Sequence, residues 1–265
     1  MVRNEAGKTM WRQSVSVAVL ISLLALQPAS ARSLADITKE GVMRIGVIGE
    51  GSSLNSVKDG KRAGFEVDVF DQIAKSMRLK TVWVPVQNDN LKASLDKGTI
   101  DLTVALDNEK SALPSGLTTT NPYYCSGGVF LSKSREFKSS NDLPGKKVAL
   151  QSGNQYFSYV KRLALENSVS VKQDAASAVL SLIYNTSDVA IVDKIEALNA
   201  VNTYPKANLK VSYPLWNTKH SAVIRNQDIS LAQAFNSALK KSLDNGAYLK
   251  LSQKHFPDSV QCRVY

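Results

Sequence analysis

Cysteine and histidine are scarce in this chain, two of each in 265 residues, and the scarcity excludes several chemistries. His220 and His255 are far apart, and Cys125 and Cys262 form no CxxC pair, so no metal-ligand spacing exists and neither a structural metal nor a cofactor is expected. No low-complexity tract interrupts the chain. Hydrolase elbow, phosphate loop and metalloprotease helix are all missing, which removes the common catalytic signatures. The formal charge of +10 comes from scattered Lys and Arg with no aromatic-basic module among them, so it describes a solvated cationic surface and not a nucleic-acid interface.

The one long apolar run, residues 14–26, falls short of the ~20 residues a membrane span needs. It is preceded by Arg3, Lys8 and Arg12 and followed by Ala29-Ser30-Ala31, the layout of a cleavable export signal. Residues 1–31 are therefore read as a signal peptide, with the mature chain beginning near Arg32. No cysteine lies at the cleavage site, so a lipid anchor is not expected. In the oxidising compartment that export implies, Cys125 and Cys262 permit one bridge or two separate thiols. Their spacing does not decide between them; only a Cα separation within ~7 Å would.

Beyond Arg32, periodicity alternates. Helix 33–40, strand 43–48, a polar loop over 49–60, helix 71–77, strand 81–86, helix 91–97 and strand 100–106 predict a mostly parallel α/β sheet. Ligands bind beyond the carboxyl ends of such strands, which directs attention to loops 49–54, 87–90 and 107–110. An apolar run at 123–131 leads to a second alternation: helix 156–166, strand 168–172, helix 175–184, strand 189–192 and helix 194–201. Strands 209–215 and 221–224 return, and helical periodicity over 231–256 breaks at Asn245-Gly246. Two positions have two readings each. The start of helix 156–166, at Gly153-Asn154, is either an anion site of free N–H groups or an ordinary cap. Asp193, ending a buried strand, is either a cleft carboxylate seeking a cation or the cap of the next helix.

Several segments resemble the extracellular solute-binding protein family 3, the binding proteins of bacterial polar amino acid ABC transporters. They are Gly98, Ile100-Asp101, Asn121-Pro122-Tyr123-Tyr124 with Ser126-Gly127, Gly64-Phe65-Glu66-Val67-Asp68, and the run from Asn141 to Ala149. The resemblance implies a two-lobed α/β, type II periplasmic binding protein-like fold with two crossing hinge strands. After the signal peptide, residues 32–122 would begin lobe one, 123–220 would form the hinge strands and lobe two, and 221–265 would return to lobe one. It implies a periplasmic, monomeric receptor that closes on a small polar ligand and presents it to an inner-membrane ABC permease.

Carried onto this chain, the ligand contacts fall on Glu50, Ser52, Asn88, Leu106, Asn108 and Lys110 from lobe one, and on Gly153, Asn154 and Asp193 from lobe two. The pocket departs from the family. Leu113 stands where most members place the arginine that grips a carboxylate. Lys110, the nearest cation, lacks its planar fork. Asn88 occupies the usual aromatic slot, and loop 49–52 has no aromatic residue. Amine recognition at Asp193 should thus persist while carboxylate recognition is weakened or rebuilt. Two alternatives share the fold: a cyclohexadienyl dehydratase-like enzyme using Glu50 or Asp107 as general acid, and a sensory or accessory binding subunit.

Overall fold

The computed structural model describes residues 30–48, 54–104, 113–133, 135–165 and 168–262. Helix α1 (Leu34–Glu40) opens on a capping box in which Ser33 and Asp36 satisfy each other's backbone N–H. It closes on Gly41, whose φ of 74° gives the left-handed turn into β1 (Val42–Ile48). A hairpin follows where the sequence predicts only loop: β2 (Ser56–Lys58) and β3 (Lys61–Ala63) pair across Asp59-Gly60, both at positive φ. Helix α2 (Phe65–Ser76) begins well before the expected residue 71, directly after Gly64, and so takes the Phe65–Asp68 motif into its first turn. Strand β4 (Lys80–Val86) and helix α3 (Leu91–Asp96) match expectation closely. Strand β5 is only Leu102–Thr103 within the described residues.

The expected strand at 123–131 is two strands. β6 (Leu117–Ser126) starts earlier and β7 (Gly128–Lys133) follows after a turn at Gly127, φ 132°. Then come β8 (Val148–Gln151), α4 (Asn154–Arg162), β9 (Val169–Lys172), α5 (Ala175–Ile183), β10 (Val189–Asp193) and α6 (Lys194–Thr203). Helix α4 stops short of the expected residue 166, the chain turning left-handed at Ala164. Strand β11 (Leu209–Val211) is shorter than expected: Ser212 N still donates to Phe130 O, but Pro214 has no N–H, and Leu215 N makes the next bond, to Gly128 O. Strand β12 (Thr218–Arg225) and helices α7 (Ile229–Asp244) and α8 (Ala247–His255) complete the chain.

These strands form two five-stranded sheets, ordered β4-β1-β5-β12-β6 and β11-β7-β10-β8-β9. Both are mixed, not mostly parallel: β12 runs antiparallel to β5 and β6, and β7 antiparallel to β10 and β11. The chain crosses between them twice, at 126–128 going out and at 211–218 coming back.

Each sheet carries its own core. Around the first, Ile45, Phe65, Phe70, Tyr123, Phe235 and Tyr248 are buried together, with α2, α7 and α8 packed on one another. The second is covered on both faces. Ala178, Leu182 and Ala197 from α5 and α6 lie on one side, and Phe130, Leu150 and Val160 on the other. Burial of this kind contributes about 25 cal/mol per Å² of apolar surface. Geometry also settles the cysteines: Cys125 and Cys262 form a disulfide, with Cα atoms 4.9 Å apart.

Candidate functional site

The carboxyl ends of β8 and β10, parallel neighbours in the second sheet, meet the outgoing crossing of the chain. Two groups of opposite electrostatic character and an aromatic cluster gather there.

Asp193 is the last residue of β10 and the N-cap of α6, accepting a 2.7 Å hydrogen bond from Ile195 N. The capping reading of Asp193 therefore holds, and Ser126 Oγ also donates to both of its oxygens at 2.7 Å from the crossing strand. Its own backbone N–H donates to Gln151 Oε1 at 3.1 Å, which ties the ends of β8 and β10 together. Burial pushes the Asp193 carboxyl above the usual carboxylate range, outweighing the hydrogen bonds from Ser126 and from backbone N–H groups that favour the anion. Among the described residues no cation pairs with it. The adjacent Lys194 turns away, its Nζ donating to Ser259 O at 2.8 Å. Among the described residues the carboxylate is thus held by uncharged donors.

One strand away, Gln151-Ser152-Gly153 turns into α4. Gly153 is its N-cap, at φ 146°, and no side chain caps the helix start. A Cβ at Gly153 would lie 3.0 Å from the Tyr156 ring. Gly153 and Asn154 are exposed, so the positive end of the α4 dipole faces outward, as an anion site requires.

The third group is aromatic, and sequence reasoning missed it. Trp216, on the returning crossing, donates Nε1–H to Gln155 Oε1 at 2.9 Å and sets its ring against Tyr156 and Tyr159, with centroids 5.3 and 5.4 Å away. The indole lies on Gly128, the cross-strand partner of Asp193. The Gly127-Gly128 doublet was the only sequence signal that a ring would pack there.

On the first sheet the picture is narrower. Asn88 is exposed on a single 3-10 turn, Asn88–Asn90, following β4. Glu50, Ser52, Leu106, Asn108 and Lys110 lie outside the described residues, as does Asp107. Leu113 is half-buried. Two carboxylates of the family-like motifs serve the scaffold. Asp101 is gripped by Arg32 Nη1 at 2.8 and 3.0 Å and accepts from Arg44 N at 2.7 Å. Glu66 is buried and accepts from Tyr123 and Asn55.

Comparison with known proteins agrees with the two-sheet fold. The model of the bacterial extracellular solute-binding proteins, family 3, matches residues 43–258. The L-cystine-binding protein TcyJ of Escherichia coli is 27% identical over 262 residues, covering 94% of this chain and 97% of that protein. A probable histidine-binding protein of Campylobacter jejuni is 26% identical over 217 residues, covering 80% and 84%. Among solved structures, the unliganded, open L-cystine solute receptor of Neisseria gonorrhoeae superposes with a TM-score of 0.76 at 20% identity, covering 86% of this chain and 98% of that one. A polar amino acid binding protein from Streptococcus thermophilus gives 0.73 at 22%, covering 88% and 92%. With the two-sheet fold and a family match over most of its length, this chain belongs to the bacterial extracellular solute-binding proteins, family 3.

Proposed function

We propose that the chain is the periplasmic receptor of an ABC importer, exported by a signal peptide cleaved near Ala31, and that it captures an amino acid or amine-like ligand. In this reading it works as a monomer. Residues 32–122 and 221–265 form lobe one, residues 123–220 the hinge strands and lobe two, and the ligand-loaded form docks on an inner-membrane permease. The observation that carries the reading is the pairing of Asp193 with the uncapped start of α4 on adjacent strand ends. One offers a negative receptor for an ammonium and the other a positive receptor for a carboxylate. Relatives described as binding histidine and L-cystine are consistent with a zwitterionic ligand.

Closure follows from the division of contacts. A ligand held first by Asp193 and α4 gains further bonds only when groups of the first lobe reach it, so it favours the closed state by that difference. Glu50, Ser52, Asn88, Leu106, Asn108 and Lys110 are the residues proposed to supply those bonds. With Leu113 in place of a carboxylate-gripping arginine, the α4 amides and Lys110 take over the carboxylate, or the ligand carries none.

A thermal-shift panel of amino acids, polyamines and opine-like conjugates on the wild type and on Asp193→Asn tests this. Removing one member of a buried charge pair costs about 2–5 kcal/mol, roughly 30-fold to several thousand-fold in affinity. Tight binding of common L-amino acids that Asp193→Asn leaves unchanged would overturn the assignment of the amine site.

A further inference from the structure

The segment after α8 touches both sheets' territories at the crossing. Phe256 and Val260 are buried in the first core, and Val260 O accepts from Cys125 N at 2.8 Å. Cys262 is then bonded to Cys125. From the other side, Lys194 Nζ donates to Ser259 O at 2.8 Å and ion-pairs with Asp258 at 3.4 Å, while Asn202 Nδ2 donates to His255 O at 3.0 Å. Ile195 and Leu198 of α6 pack into the first core beside it.

The attachment points have a pattern. Cys125 immediately precedes Ser126, and Lys194 immediately follows Asp193, so the tail is fixed to the neighbour of each partner in the Ser126–Asp193 hydrogen bond. The strand pairing at this place is irregular: the β6–β12 register shifts between His220 and Ser221 and again before Val223. A ladder interrupted there resists twisting less than a continuous one, and the tail supplies a third connection beside the two chain crossings.

We propose that residues 256–262 act as a hinge strap, with Cys125, Cys262 and Lys194 as positioning residues that hold Ser126 and Asp193 in place for the ligand. The strap as a ligand-positioning element rests on the reading of Asp193 given above; the strap as a hinge restraint does not. With it intact, Ser126 meets the incoming amine already bound to the Asp193 carboxylate, and the ligand pays less for ordering the site. Without it, the crossing strand and the first turn of α6 open independently of the rest of the second sheet.

The test is amide hydrogen exchange on three mature proteins: wild type, Cys125→Ser with Cys262→Ser, and Lys194→Gln. The last keeps the disulfide and guards against general unfolding. Exchange at 124–128 and 193–196 should rise about tenfold in both variants, while β8 and β9 stay unchanged. Binding of L-histidine and L-arginine is measured in parallel, and the affinity of whichever binds should fall roughly fivefold or more. Faster exchange with no amino acid, polyamine or opine-like conjugate of the panel above bound by the wild type upholds the restraint and refutes the reading of Asp193. Exchange that changes only within 256–262 in both variants overturns the strap, whatever the binding result.

Discussion

The indole of Trp216 rests on the Cα of Gly128, leaving no room there for even a methyl group. The contact joins the returning crossing to the first residue of β7, and through Gln155 it reaches the start of α4. Gly128→Ala should push the ring off, at a cost of about 1–3 kcal/mol for an overfilled site. Urea unfolding followed by tryptophan emission checks it, and the emission of the native state should also shift to the red as the ring gains water. An unchanged midpoint and spectrum would show the ring to be loosely seated.

Asp193 should trade stability for binding. Its folded-state pKa lies above the ordinary value because burial opposes the charge, so the protonated form is favoured by folding. Stability from this group is therefore present at low pH and lost as pH rises from the unfolded value through the folded one. Asp193→Asn keeps an acceptor for Ile195 N and removes the buried charge. The unliganded variant should be more stable than wild type at pH 7, with the advantage vanishing below the ordinary aspartate range. Melting temperatures across pH 3 to 8 on ligand-free protein measure the difference.

Arg32 should prove indispensable although it stands at the expected start of the mature chain. Its guanidinium is mostly buried and the Asp101 side chain fully so, and removing one partner strands a buried charge at a cost of about 3–5 kcal/mol. Burial already raises the Asp101 carboxyl, opposed by Arg44 N and by Arg32. Arg32→Ala raises it further and so destabilises most at neutral pH and least where Asp101 is protonated. Denaturation midpoints at pH 7 and pH 4 would show the loss shrinking with acid. A chain cut to begin at Leu34 should show the same loss.

The disulfide closes a separation of 137 residues, for which chain entropy gives about 5 kcal/mol of stabilisation. Thiol titration of unfolded, unreduced protein should find no free thiol. Reduction should lower the denaturation midpoint by a large fraction of the total stability, which for a domain is only about 5–15 kcal/mol.

Much of the fold was legible because most elements are amphipathic with one clear period. Helix α2 shows how the reading slips. Phe65, Val67 and Val69 alternate with polar residues and so look strand-like, while Phe65, Val69, Phe70 and Ile73 also lie on one helical face, and packing in the first core selects the helix. The β2–β3 hairpin was hidden by its polarity, although Asp59-Gly60 is the turn such hairpins favour. Of the proposed site, Gly153, Asn154 and Asp193 could be named because they sit at or just beyond strand ends. Trp216 could not, being a single ring in an irregular segment, where its packing against Gly128 depends on residues almost ninety positions away.

Strand order has a consequence for the timing of assembly. The second sheet uses strands drawn from one uninterrupted stretch, Gly128 to Val211, so its last strand is available once Val211 has emerged. The first sheet starts earlier in the chain but has β12 between β5 and β6, and that slot stays vacant until Arg225 arrives. The half begun first is thus finished last. Until then it exposes two unpaired strand edges, the kind of surface on which partly made chains associate. Chaperone dependence while the chain folds should accordingly be governed by the first sheet and not by the second.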